Sequence, residues 1–200
     1  MGSDHDSMTG SEGFASGSML RGMISRGENT SDLMPQRAEE YCNVSKLDSI
    51  FRYRVSTAGY DEILALPDAY TSAADRIIKA ARSSYPCIEA FLDACKAKNF
   101  TAAKLRRLVL HLVLGITVND IVPLPYLRIL AFNKRGTEIL KSSVPLLPCG
   151  TSLAELEKSS LNAARIAAIE KRASILRSLG TSSGIAENEY SRMIRIIESE

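Results

Sequence analysis

Thr101-Ala-Ala-Lys-Leu-Arg-Arg-Leu-Val-Leu-His-Leu-Val-Leu-Gly115 is the stretch whose reading decides the fold. Leu105, Leu108, Leu112 and the apolar residues between them and Leu114 cover one broad face at helical spacing, which predicts a helix at the centre of the core. Thr101 stands where its hydroxyl can accept from the free N–H groups of the first turn. Working outward, the same periodicity predicts helices over 74–83 and 86–97, the second with Pro86 at a first helical position. These three pack together.

Further upstream, Leu47, Ile50, Phe51 and Val55 carry a helix over 47–57, Asp61-Glu62 open another, and Pro67 closes it. Near Ser18 a short helix places Met19, Leu20, Met23 and Ile24 on one face. Downstream, Thr117-Val-Asn-Asp120 begins a short helix ended by Pro123, the chain stays apolar from Tyr126 to Phe132, and residues 134–141 form a short helix around Gly136. Pro145 and Pro148 bracket a turn or a short extended piece. Residues 152–179 are alanine-rich and helical up to Gly180, and an amphipathic helix over 186–198 uses Tyr190, Met193, Ile194 and Ile197. The predicted class is mainly α: a multi-helix bundle with a flexible polar N-terminal leader and little or no sheet.

The 200 residues are 45% hydrophobic and 24% charged, a globular composition with room for a sizeable core. No apolar run is long enough to cross a bilayer, and the polar start lacks the apolar stretch of a secretory signal, so a cytoplasmic location is expected. Cys42, Cys87, Cys95 and Cys149 are far apart and only two histidines accompany them, which is not zinc-ligand spacing. No metal site is expected. The net charge is only +2, but residues 76–141 hold twelve Lys/Arg against four acids. Such a basic island suits a polyanion, because neutralised phosphates release their counterions; a solvated helical surface explains it equally.

A catalytic engine is not written in the sequence. There is no GxxxxGK[ST], no GxGxxG and no GxSxG, and no residue is assigned a catalytic role. His5 sits between Asp4 and Asp6 in the leader and reads as an incidental loop residue. His111 reads either as a hydrogen-bonded residue at the core edge or as an RNA contact.

Two strings carry a resemblance. Residues 98–116, Lys98-Asn-Phe-Thr-Ala-Ala-Lys-Leu-Arg-Arg through Leu-Gly-Ile116, are followed by Pro123-Leu-Pro-Tyr-Leu-Arg-Ile-Leu-Ala-Phe-Asn-Lys-Arg-Gly136. Together they resemble the bacterial tRNA(Met) cytidine acetate ligase family. The helix with Arg76-Ile-Ile-Lys-Ala-Ala81 and the leader string Ala15-Ser-Gly-Ser-Met-Leu-Arg21 resemble further family elements. The resemblance covers most of residues 2–140.

It implies an enzyme that activates acetate with ATP as acetyl-adenylate and passes the acetyl group to N4 of the wobble cytidine of elongator tRNA(Met). It also implies a Rossmann-like nucleotidyltransferase domain whose HxGH-type motif holds ATP phosphates at a helix N-terminus. That motif is absent here, so the expectation is a C-terminal portion of such an enzyme, with ATP bound mainly by a domain upstream of Met1. By this resemblance Ser16, Ser18 and Arg21 are nucleotide contacts, or else simply a helix cap and a surface arginine. Lys98, Lys104, Arg106, Arg107, His111, Arg128, Lys134 and Arg135 are the expected tRNA contacts. Tyr126 or Phe132 stacks on a base or packs in the core.

The expected domains are 1–34, the end of the nucleotidyltransferase part and leader; 35–150, the helical RNA-facing part; and 151–200, a helical extension. Expected partners are tRNA, with acetate and ATP in the complete enzyme; a homodimer stays open, and no membrane is involved. Leu161-Asn-Ala-Ala-Arg-Ile166 departs from the family's late acidic element, and Ala131 replaces a common glycine. These departures motivate an alternative, a non-catalytic helical interaction module.

Overall fold

The computed structural model describes residues 15–30, 33, 41–97, 100–192 and 195–197. It divides into two compact units, residues 1–43 and residues 44–200. Much of the expected leader, with His5, lies outside the described residues.

In the first unit, α1 spans Gly17–Ser25. Ser16 caps it: its Oγ accepts from the Met19 amide at 3.1 Å. Its C-terminal end turns at Gly27, which has a φ of 73°.

The second unit is built around five helices: α2 (Asp48–Thr57), α3 (Tyr60–Leu64), α4 (Thr71–Ala81), α5 (Ile88–Cys95) and α6 (Ala102–Leu114). The predicted centre is the observed one. Leu105, Leu108, Val109 and Leu112 are buried on α6, which packs against α2, α3 and α5. Thr101 caps α6 through the Lys104 amide. Gly115 stops it with φ 62°, and the Ile116 amide reaches back to the His111 carbonyl at 2.9 Å. That left-handed glycine, with its paired return hydrogen bonds, lets Ile116 fold against the core.

The start of α5 differs from its prediction. It begins at Ile88, not Pro86, because Asp48 caps it from α2: Oδ1 accepts from the Ile88 amide at 2.6 Å. A carboxylate brought by tertiary structure overrides the local proline signal.

Beyond α6, a 3-10 turn at Val118–Asp120 is closed by a reciprocal Thr117–Asp120 capping box. Then come β1 (Leu127–Arg128), β2 (Ala131–Phe132), α7 (Lys134–Ser142), β3 (Cys149–Gly150), α8 (Leu153–Leu156) and α9 (Leu161–Leu179). A final strand, β4, is Arg195–Ile196. Strand β1 pairs in parallel with β3, Leu127 opposite Cys149, and β2 pairs in parallel with β4, Ala131 opposite Arg195.

This corrects the predicted class. The protein is not a helical bundle with little or no sheet: two parallel ladders are joined by helical crossovers, as parallel pairing requires. One of the strands occupies part of the predicted last helix, where the described residues show a 3-10 turn at Glu189–Ser191 and then β4. The predicted 152–179 helix is also broken, since Ser160 caps α9 through the Ala163 amide at 3.0 Å after a 3-10 turn at Glu157–Ser159.

Helix α9 joins the two apolar clusters of this unit. Its Leu176 belongs to the large core around α6, while Ala163 and Ala167 sit under Tyr126, Leu153 and Leu156. Alanines allow close backbone approach there. Among the described residues, no helix is long and apolar enough to cross a membrane.

Candidate nucleic-acid interface

The basic residues of α6 lie outside its buried leucine face, Lys104 toward Tyr70 and Arg106 toward α5. Arg106 and Arg107 are exposed and Lys104 is half-buried. Arg106 Nη2 meets Glu89 Oε2 of α5 at 2.9 Å, with both side chains more than half exposed, so the pair is readily exchanged for another anion. Arg107 has no ion pair among the described residues. Lys104 Nζ lies 4.2 Å from the centre of the Tyr70 ring.

On α4, Arg76 and Lys79 are exposed opposite the buried Ala73, Ile77 and Ala80. Arg76 donates to the Lys96 carbonyl at 3.3 Å. Lys104 and Arg76 thus meet at one aromatic pair, Tyr70 and Phe100, while Arg106 turns toward Glu89 of α5. Lys98 lies outside the described residues.

His111 is half-buried on α6, and its Nδ1 is buried without a hydrogen-bond partner among the described residues. Lys134 and Arg135 are exposed in the first turn of α7, which Asn133 caps through the Gly136 amide at 2.9 Å. A Cβ at Gly136 would come within 3.1 Å of the Phe132 Cβ, so the Phe132-Asn-Lys-Arg-Gly136 string is a local fold requirement as well as a basic segment.

Arg128 is a correction. Its side chain is only 8% exposed, and Nη1 is 3.0 Å from Glu170 Oε2 and 2.7 Å from Glu189 Oε1. Nη2 donates to the Glu189 carbonyl at 3.2 Å. A guanidinium committed to two carboxylates from α9 and the turn beyond it is not a docking residue; it ties β1 to the end of the chain. Burial pushes the Glu189 carboxyl up, but the hydrogen bonds from Ser174 and Arg128 and the charges of Arg128 and Arg192 together hold it below the usual carboxylate range.

Tyr126 belongs to the same cluster. It is buried, and its hydroxyl donates to Glu170 Oε1 at 2.7 Å; burial first and that carboxylate second push its pKa up. It is therefore core, not a stacking ring. Nearby, the Tyr190 hydroxyl donates to Glu157. Sequence reading missed Glu170 and Glu189 because their partner lies about 40 and 60 residues away, with no local spacing to betray it.

In the first unit, Ser18 Oγ accepts from Arg21 Nη2 at 3.0 Å, so the two expected nucleotide contacts are already paired on α1. Gly17 keeps that side open: a Cβ there would stand 3.3 Å from Arg21 Nη1. Ser16 is buried as the cap.

Comparison with known proteins defines the class. The model of the family described as HIGH Nucleotidyl Transferase matches residues 1–189. The chain belongs to that family. The match overturns the expectation that the chain lacks the nucleotidyltransferase region and is only a C-terminal portion.

Among curated relatives, tRNA(Met) cytidine acetate ligase of Oenococcus oeni is 27% identical over 141 residues, covering 68% of this chain and 37% of its own length. The protein of the same name from Lactobacillus helveticus is 27% identical over 157 residues, covering 72% and 41%. The chain spans about two fifths of the length of these relatives. Among solved structures, apo TmcAL of Thermotoga maritima superposes with a TM-score of 0.84 at 16% identity, covering 100% of this chain and 54% of that one. The form of the same protein bound with alpha-thio ATP gives a TM-score of 0.79 at 19% identity, covering 93% and 53%. These likenesses establish the fold, a nucleotidyltransferase-like one, and confirm that the pure bundle is wrong.

Proposed function

We propose that this chain works in an ATP-dependent ligase that acetylates the wobble cytidine of elongator tRNA(Met) through acetyl-adenylate, and that the outer face of α6 docks the tRNA backbone. The names of its relatives support the reaction, and the nucleotide-bound relative supports ATP as the activating substrate. One observation carries the RNA half of the reading. Lys104, Arg106 and Arg107 stand in the first two turns of a helix with no acid in its first turn, where the positive end of the helix dipole adds to their charge. Lys134, Arg135 and Lys98 are proposed to extend the contact, and His111 to lie at its edge. Ser18 and Arg21 on α1 are proposed to meet ATP phosphate, with Ser16 fixing the helix start. Acetate is the second small substrate, and the cytoplasm, where tRNA is modified, is the proposed location.

The test is filter binding of tRNA(Met) to the chain at graded salt. Binding should weaken linearly on a log–log plot, and each phosphate contact removed should flatten the slope by about 0.7 to 0.9. Acetate- and ATP-dependent formation of N4-acetylcytidine on the same tRNA tests the reaction. Failure to bind at low salt removes the docking reading, whatever the activity.

A further inference from the structure

We propose that Tyr70, backed by Phe100 and flanked by Lys104, is a stacking platform for one unpaired nucleotide of the RNA; this rests on the docking face proposed above. The two rings stack with centroids 5.2 Å apart and 24° between their planes. Phe100 is 5% exposed and Tyr70 39%, so a buried inner ring supports a partly exposed outer one. Lys104 Nζ lies 4.2 Å from the centre of the Tyr70 ring, and the Arg76 guanidinium carbon 5.9 Å from that of Phe100. Lys104, Tyr70, Phe100 and Arg76, drawn from α4, α6 and the residues just before them, thus join into one cation–aromatic ladder.

The position of Tyr70 argues that the ring is there for its face. It occupies the N-cap of α4 in extended conformation, φ −149° and ψ 166°, and makes no side-chain capping bond. Serine, threonine, aspartate or asparagine would stabilise the helix better at that point. A tyrosine gives up the cap and presents an aromatic ring backed by Phe100 and covered by the Lys104 ammonium, which must swing aside for a base to stack. An ammonium favours the ring face and, being flexible, also reaches the phosphate of a base stacked on that ring. Aromatic stacking accepts any base, because every base has a π face, so the platform takes an unpaired nucleotide without reading its edges. Unpaired RNA, not duplex, is the ligand class.

The chain has seven tyrosines and no tryptophan, so tyrosine emission is free of tryptophan and the share that Tyr70→Phe removes reports on this ring. The probes are a tRNA(Met) transcript and a short single-stranded RNA carrying one 2-aminopurine. Tyr70→Leu, which keeps an apolar contact with Phe100, should weaken both complexes about tenfold with an unchanged salt slope, and the 2-aminopurine should no longer be quenched on binding. Tyr70→Phe should bind as the wild type does, yet lose part of the RNA-induced quenching of tyrosine emission; this second readout stands even if the leucine variant fails to fold. Wild-type tRNA binding with full affinity in a folded Tyr70→Leu, or with undiminished tyrosine quenching in Tyr70→Phe, overturns the platform alone. Absence of any RNA binding by the wild type overturns both the platform and the docking face beneath it.

Discussion

Arg107 and Arg128 come from the two strings that most resemble the family, yet they meet opposite fates. Arg107 projects from α6 into solvent with no ion pair among the described residues, whereas Arg128 is 8% exposed between Glu170 and Glu189. What separates them is the element beneath. Helix α6 has a face to spare, because its leucines already fill the core on the other side. Strand β1 is two residues long and is held only by its ladder with β3 and by what its side chains can grip. A family-like string therefore mixes exposed charge with architecture, and burial is what separates the two.

The largest expected effect tests the architectural side. Arg128→Met takes the guanidinium from Glu170 and the buried Glu189, leaving them Tyr126, Ser174 and Arg192, and should cost about 3 kcal/mol, the lower end of the penalty for removing one partner of a buried ion pair. Urea unfolding at neutral pH checks it. A loss near 0.5 kcal/mol would return Arg128 to the surface residues and erase the contrast. Leu108→Ala, at the centre of α6, should cost about 2 to 5 kcal/mol by leaving a cavity, and should loosen the proposed docking face along with the core.

The helices of the second unit were legible where the burial signal was local. Leu105, Leu108, Leu112 and the cap at Thr101 all lie within one helix, so spacing alone placed α6. The strands were not legible. Leu127–Arg128 and Ala131–Phe132 are too short to show alternation, and their partners at Cys149 and Arg195 arrive through long crossovers. Tyr190 and Ile197 share a helical spacing by coincidence of an apolar segment; pairing with β2 overrides it. The proposed site was legible only in part. Lys104, Arg106 and Arg107 lie in one string, while Tyr70 meets Lys104 only through tertiary structure. The fold class failed for a related reason: composition and periodicity weigh residues in helices, and four two-residue strands barely register, though they set the topology.

Glu189 sharpens the contrast through pH. Its carboxyl is depressed in the folded protein and ordinary in the unfolded chain, so the stability it contributes is present above the unfolded pKa of about 4.3 and is lost as pH falls through the lower folded value. Urea midpoints measured from pH 7 down to about pH 3 should therefore fall on acidification, and Glu189→Gln should flatten that acid limb. A comparable check on the helix stop is Gly115→Ala, which forces a side chain into φ 62° and should cost about 1 kcal/mol. Buried Cys95, whose thiol burial pushes up to about 11, should stay unreactive toward a thiol reagent until the core opens.

The smallest effect on stability is the most telling for function. Arg107→Gln removes a charge that touches no described carboxylate, so the unfolding free energy should stay within about 0.5 kcal/mol of the wild type. Binding of tRNA(Met) should nevertheless weaken several-fold, and the salt slope should fall by about 0.7 to 0.9 if the guanidinium neutralises one phosphate. Stability and affinity thus move separately at Arg107, whereas at Arg128 any loss of binding should follow the loss of fold and disappear when folded fractions are compared. If Arg107→Gln left both affinity and slope untouched, the exposed face of α6 would be ordinary solvated surface, and burial would no longer distinguish the two halves of the resemblance.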